Sequence, residues 1–182
     1  GLIGMLAIFT AVAQSIMDSG FGSALIQKKG ADQTDASSIF FVNLILGIIL
    51  TLLLSLAAPS IAKFYLQPDL TPITRALSLT LIINAFSLVQ TSLLAKKMDF
   101  KTQMKISLLA VIISGVIGIL MAYRGFGVWS LVAQMVSKSL FQAIFLWLFN
   151  DWRPTAVFSI SSLKSMFSFG SKLLVSGLIN TF

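Results

Sequence analysis

From Leu2 onward the chain alternates long apolar runs with short polar interruptions. The runs cover residues 2–17, 38–58, 76–94, 106–123 and 128–149, and a shorter one covers 173–182. A helix rises ~1.5 Å per residue, so about 20 apolar residues cross the ~30 Å hydrocarbon core of a bilayer. Most of the runs are near that length and are bounded by charges, Pro or Gly. The pattern predicts five membrane-spanning helices and the start of a sixth: an all-α, polytopic transmembrane bundle. Because the chain opens on Gly1 rather than Met and its last run stops at Phe182, it reads as an excised fragment. No basic leader precedes Leu2, so a cleavable signal peptide is not expected.

The interruption "DSGFGSALIQKK", residues 18–29, marks the exit of the first span. Gly20 and Gly22 permit a turn, Asp18 or Ser19 suits the cap of a short helix over 23–29, and Lys28 and Lys29 suit an anionic leaflet. Yet Asp18 at a helix C-terminus opposes the macrodipole. Thr10, Gln14 and Asp18 also share one face at i, i+4 and i+8. Gln14, Asp18, Gly20 and Gly22 are therefore candidates for lining a cavity or gating it.

Polar residues inside the runs are costly unless they meet a partner or water. Lys138 stands at least ten residues from either end of its run, too deep to snorkel comfortably. Ser130, Gln134, Lys138 and Gln142 recur every four residues, a drifting polar strip that predicts a cavity-lining helix. The other reading of Lys138 is a lysine held by helix carbonyls or by an acid elsewhere in the protein. Two further stripes, Thr80-Asn84-Ser87-Thr91 and Asn43-Gly47-Thr51-Ser55, read mainly as packing faces, because small and hydroxyl residues cement membrane helices. Asn84 is kept as a candidate lining residue. Ser114 and Gly118 have the small-xxx-small spacing of close helix contact.

Composition narrows the chemistry. There is no Cys, His or Glu, and the six acids are all Asp near the ends of the runs. Thiol, histidine-triad and zinc chemistry are thereby excluded, and no paired carboxylates sit within a span. The glycines of "GFGSAL" and "GFGVWS" lack the rest of a nucleotide fingerprint. The chain reads as a non-enzyme without a cofactor. Its basic residues divide by loop: Lys28, Lys29, Lys96, Lys97, Lys101, Lys105, Arg153, Lys164 and Lys172 on one side, and Lys63, Arg75 and Arg124 on the other. The first side is cytoplasmic by the positive-inside rule. That scatter accounts for the net charge of +7 without nucleic acid.

The segments "GLIGMLAIFTAVAQS", "DSG" with "FGSALIQKK", "LAAPSIAKFY", "LLAKKMDFK", "GFGVWSLVAQ", "DWRP" and "SFGSKLLVSGLINTF" occur in series along the whole chain. In this order they resemble the bacterial polysaccharide exporters, the O-antigen and colanic acid flippases, whose superfamily also holds multidrug extruders and lipid II flippases. The resemblance implies a protein of 12 to 14 spans in two lobes, carrying lipid-linked oligosaccharides across the bacterial inner membrane by alternating access. Residues 1–149 would then be the N-terminal lobe with family spans two to six. Residues 150–172 would be a cytoplasmic interlobe connection, either a short interfacial helix or an irregular tether, and 173–182 the start of the next span.

The same resemblance implies a polyprenyl-pyrophosphate-linked glycan as substrate, with membrane lipids around it and a glycan polymerase and glycosyltransferases as partners. Lys138, Gln134, Gln142 and Arg124 become candidates for holding the anionic head group. The alternatives are a multidrug-type cation antiporter of the same superfamily and, in another class, a structural membrane subunit whose stripes serve assembly alone.

Overall fold

The computed structural model of the chain describes residues 2–18, 21–28, 30–160 and 163–164. The described residues form an all-helical bundle: α1 (Leu2–Asp18), α2 (Phe21–Gln27), α3 (Gln33–Phe64), α4 (Leu70–Lys96), α5 (Phe100–Tyr123) and α6 (Val128–Phe149). The first two together, and each of the other four, are long and apolar enough to cross a membrane. The chain is a multi-pass membrane protein. Each apolar run from 2 to 149 lies within a helix, and α3, α4 and α5 reach past theirs into polar sequence. The run at 173–182 lies outside the described residues.

Three of the connections close in the same way. After α3, α4 and α5 a residue with positive φ ends the helix, and the next amide bonds back five residues: Gln67 to Ala62 O, Asp99 to Leu94 O and Phe126 to Met121 O. This is the left-handed C-terminal motif that glycine favours. Gly125 fills it after α5 (φ 82°), but Leu66 (φ 53°) and Met98 (φ 55°) fill the other two. Such turns are short, so α3 and α4 run antiparallel, as do α5 and α6.

α4 is the central helix, in contact with every other helix of the bundle. Its approach to α3 is close because small residues meet. A β-carbon on Gly47 would lie 2.9 Å from Ala85 Cβ and 3.3 Å from Leu81 O. Along the same α3 face, Thr51 Oγ1 donates to Ser78 O (3.0 Å) and the Ser55 and Ser78 hydroxyls are 2.9 Å apart. The Asn43-Gly47-Thr51-Ser55 stripe is thus a packing face. So is the Ser114-Gly118 pair, both buried on α5, with Gly118 against the Gln134 side chain of α6.

The end bearing Lys96 and Lys97 also holds the amino end of α3 and the carboxyl end of α6. Asp32 and Asp35 form a reciprocal capping box on α3, with Asp35 N–H donating to Asp32 Oδ1 at 2.8 Å. Asp99 caps α5; hydrogen bonds from Thr102, aided by Lys105 and Lys101, hold its carboxyl below the ordinary aspartate range.

Two outcomes test this arrangement. Cysteines replacing Lys97 and Asp69 will react with impermeant reagents from opposite faces of the membrane, the first from the cytoplasm; labelling of both from one face would overturn the topology. Gly47→Val will push α3 from α4 and cost about 1–3 kcal/mol, the usual penalty for overpacking a tight interface. A lowered thermal midpoint in detergent is expected, and an unchanged one would contradict the close contact.

Candidate functional site: a polar cavity bounded by four helices

α6 carries the polar strip, and its geometry sorts the strip into two halves. At 100° per residue a spacing of four advances the face by about 40°. Gln134 therefore points toward α5, where it packs against Gly118, with Cβ 3.1 Å from a built glycine β-carbon. Lys138 and Gln142, turned from it by about 40° and 80°, line a cavity together with Met135 and Ser139.

α4 supplies the facing wall. Thr80, Asn84, Ser87 and Thr91 all line the same cavity. This corrects the reading of that stripe as a packing face: at this depth α4 has α3 behind it and, in front, the cavity between it and Lys138 and Gln142 of α6. The hydroxyls of Thr80, Ser87 and Thr91 donate to carbonyls of their own helix (2.6, 3.1 and 3.0 Å), which turns their oxygens into acceptors for whatever occupies the space. Asn84 Nδ2 donates to Gln14 Oε1 at 3.0 Å and ties α4 to α1.

The third wall is α2, through Gly22, Ser23 and Ile26. Its buried residues, Phe21, Ala24 and Leu25, hold it against α3 and α4. A β-carbon on Gly22 would stand 3.1 Å from Ser92 Oγ, so glycine permits the helix to lie this close to α4. The resulting cavity has a volume of about 750 Å³. It runs from the middle of α6 toward the lysine-rich end.

Charge is distributed unevenly around it. Lys138 makes no hydrogen bond or ion pair among the described residues, and its described lining contains no carboxylate. By contrast, Lys28 does not simply face lipid: its Nζ is 2.7 Å from the buried Asp35 Oδ2, joining the end of α2 to the start of α3. Lys96 Nζ donates to the carbonyls of Leu25 (3.1 Å) and Lys28 (2.9 Å), closing the C-terminus of α2 with a cation. Two lysines of the basic side are therefore structural. The signal for the first was the Asp-x-x-Asp spacing of residues 32–35, a capping pattern.

Of the candidate residues, the structure brings together Gln14, Gly22, Asn84, Lys138 and Gln142. It separates Gln134, packed at the α5–α6 contact, and Arg124, exposed at the far end of α5 and about 15 Å along the helix axis from Lys138. Asp18 is the last residue of α1, and its side chain and Gly20 lie outside the described residues, as do Lys29 and Lys172. Ser23 and Ser139 join the site without having stood out in the sequence, being single hydroxyls among many. Among the described residues no cluster of acids suited to a metal ion occurs.

The segment after α6 starts irregular, and the stretch expected to form an interfacial helix lies mostly outside the described residues. Residues 151–158 are irregular and bonded to the bundle: Gln33 Nε2 donates to Arg153 O (2.6 Å), Thr155 N to Ser37 Oγ (3.0 Å), Ser159 N to Ser38 Oγ (3.0 Å) and Gln90 Nε2 to Trp152 O (3.0 Å). A helical turn begins at Ile160, with Leu163 N–H bonded to Ser159 O. Met166 and Phe167, expected on its apolar side, lie outside the described residues.

A cysteine at Ser139 will react readily with a water-soluble thiol reagent, and one at Gln134 far more slowly, because the first faces the cavity and the second is packed on Gly118. Equal rates would mean that the strip is not divided as described.

The chain is similar in sequence to curated proteins over nearly its whole length. The chain is 32% identical over 176 residues to the teichuronic acid biosynthesis protein TuaB of Bacillus subtilis, covering 94% of this chain and 36% of that protein. It is 29% identical to the succinoglycan biosynthesis transport protein ExoT of Rhizobium meliloti, covering 92% and 35%. To the lipopolysaccharide biosynthesis protein WzxC of Escherichia coli it is 22% identical, covering 99% and 37%. The chain spans about a third of the length of these curated relatives. No solved structure matches it. A family model described as polysaccharide biosynthesis protein matches residues 1–182, from the first residue to the last, and the chain belongs to that family.

Proposed function

We propose that this chain forms the N-terminal lobe of an exporter that moves lipid-linked oligosaccharide or polysaccharide repeat units across the bacterial inner membrane by alternating access. Residues 1–149 are the lobe, 150–172 the connection to a second lobe and 173–182 the start of its first span. The names of its relatives, two of them for biosynthesis and one for biosynthesis and transport of glycans, support the substrate class.

The observation that carries the reading is Lys138: a mid-helix cation with no partner among the described residues, opening into a polar cavity of about 750 Å³. A lysine at such a depth costs ~2.5–3.5 kcal/mol on insertion scales. A structural subunit has no use for it. A pyrophosphate-linked glycan has two: the ammonium compensates the head group, while Gln142, Ser139 and the α4 hydroxyls offer hydrogen bonds to sugar hydroxyls. The prenyl tail stays in lipid. A cation antiporter would need an acid in this wall, and the described lining has none. No step of this reading makes or breaks a bond in the substrate, so the protein acts as a carrier and not as an enzyme.

In the full-length protein, Lys138→Ala will abolish or strongly reduce glycan export while membrane abundance is kept. Lys138→Arg will retain part of the activity, since charge persists with altered geometry. Gln142→Ala will have a smaller effect, and Gln134→Ala will act through stability alone. Full export by Lys138→Ala at normal expression would refute the head-group role. Loss of the protein from the membrane would assign Lys138 to a buried ion pair with an acid of the second lobe.

A further inference from the structure

On the side of the α4–α6 seam away from Lys138 lies a second groove of about 550 Å³, lined entirely by apolar side chains. Ile82 and Phe86 of α4 form one wall, Leu140, Ile144 and Trp147 of α6 the other, and Ala143 is the floor. It follows α6 for nine residues, about 12 Å, close to the depth of one leaflet. Its walls are fixed. Trp147 Nε1 donates to Phe86 O at 3.2 Å, and the Phe40 ring meets both Phe86 (5.8 Å) and Trp147 (5.9 Å) edge to face.

At the lysine-rich end of the groove stands Arg153. Its guanidinium lies 5.4 Å from the centre of the Trp147 ring, held there by donations to the carbonyls of Trp147 (2.8 Å), Asn150 (2.6 Å) and Trp152 (2.8 Å). Three of five N–H groups are thereby used, leaving Nε–H and one hydrogen on Nη2 to meet an acceptor from outside. Among the described residues Arg153 has no carboxylate partner. A fixed cation above a rigid, leaflet-deep apolar slot matches one kind of molecule: a lipid with an anionic phosphate and an extended hydrocarbon chain.

We propose that this groove seats an acyl chain of an anionic phospholipid from the cytoplasmic leaflet, with its phosphate on Arg153. The site is separate from the polar cavity and independent of what the protein carries. Because the segment that Arg153 anchors leads out of the bundle, the lipid would brace the connection at its root.

A photoreactive amino acid placed at Ile144 of the full-length protein reads the occupant directly. The protein is reconstituted in equimolar phosphatidylglycerol and phosphatidylcholine of identical chains, irradiated, and its adducts identified by mass spectrometry. Phosphatidylglycerol adducts are expected to outnumber phosphatidylcholine adducts several-fold at Ile144, and to equal them at Ile112 on the exposed face of α5. Arg153→Gln will equalise the two at Ile144, Arg153→Lys will keep the preference, and Ala143→Phe, which fills the floor, will lower adducts of both kinds. Equal adducts in the unsubstituted protein would reduce the groove to ordinary lipid contact and overturn the proposal. Adducts to another protein segment, or their displacement by stoichiometric undecaprenyl phosphate, would overturn it equally, assigning the groove to a missing helix or to a prenyl tail.

Discussion

A polar group carried into hydrocarbon must be met by a partner or by water, and in this bundle α4 is where that constraint is resolved. One of its faces, at Ser78, Leu81 and Ala85, is closed by the small and hydroxyl residues of α3. The opposite face, from Thr80 to Thr91, is left open. A helix closed on both sides would be a core strut. Closed on one side only, it becomes the wall of a cavity, and the depth of that cavity follows from the length of the stripe.

The position of Lys138 is intelligible in the same terms. α6 packs against α5 through Gly118 and Gln134 and against α4 through Val132 near one end and Leu146 near the other, while the residues between them border the cavity, so one polar strip serves two environments. The mismatch between a four-residue repeat and 3.6 residues per turn performs the division. Gln134, before the turn, is a packing residue whose amide neighbours a glycine. Lys138, one repeat later, faces the cavity, with no anionic partner among the described residues. The cation is thus presented to a ligand by the same helix that holds the bundle together.

At the lysine-rich end, charges and amides are spent on joining elements. Lys28 and Asp35 connect α2 to α3, Lys96 closes α2, and Ser37, Ser38, Gln33 and Gln90 grip the chain that follows α6. These bonds run between residues up to 121 positions apart, so the exit from the bundle moves with α3 and α4 as one piece.

The spans and their order were legible in the sequence, because membrane thickness and the rise of a helix impose a length. The depth of Lys138 was legible for the same reason: distance from the ends of a run is a one-dimensional quantity. Which way each stripe faces was not, since Thr80-Thr91 and Asn43-Ser55 have alike compositions, and only the neighbours decide that one is cavity wall and the other packing. Nor could spacing separate Gln134 from Lys138 without the position of α5. The left-handed turns at Leu66 and Met98 carry no glycine to announce them, and the Lys28–Asp35 pair needed the placement of α2. What one helix dictates alone, its length and its charge, is written in the chain; what depends on a second helix standing beside it is decided only when the bundle packs.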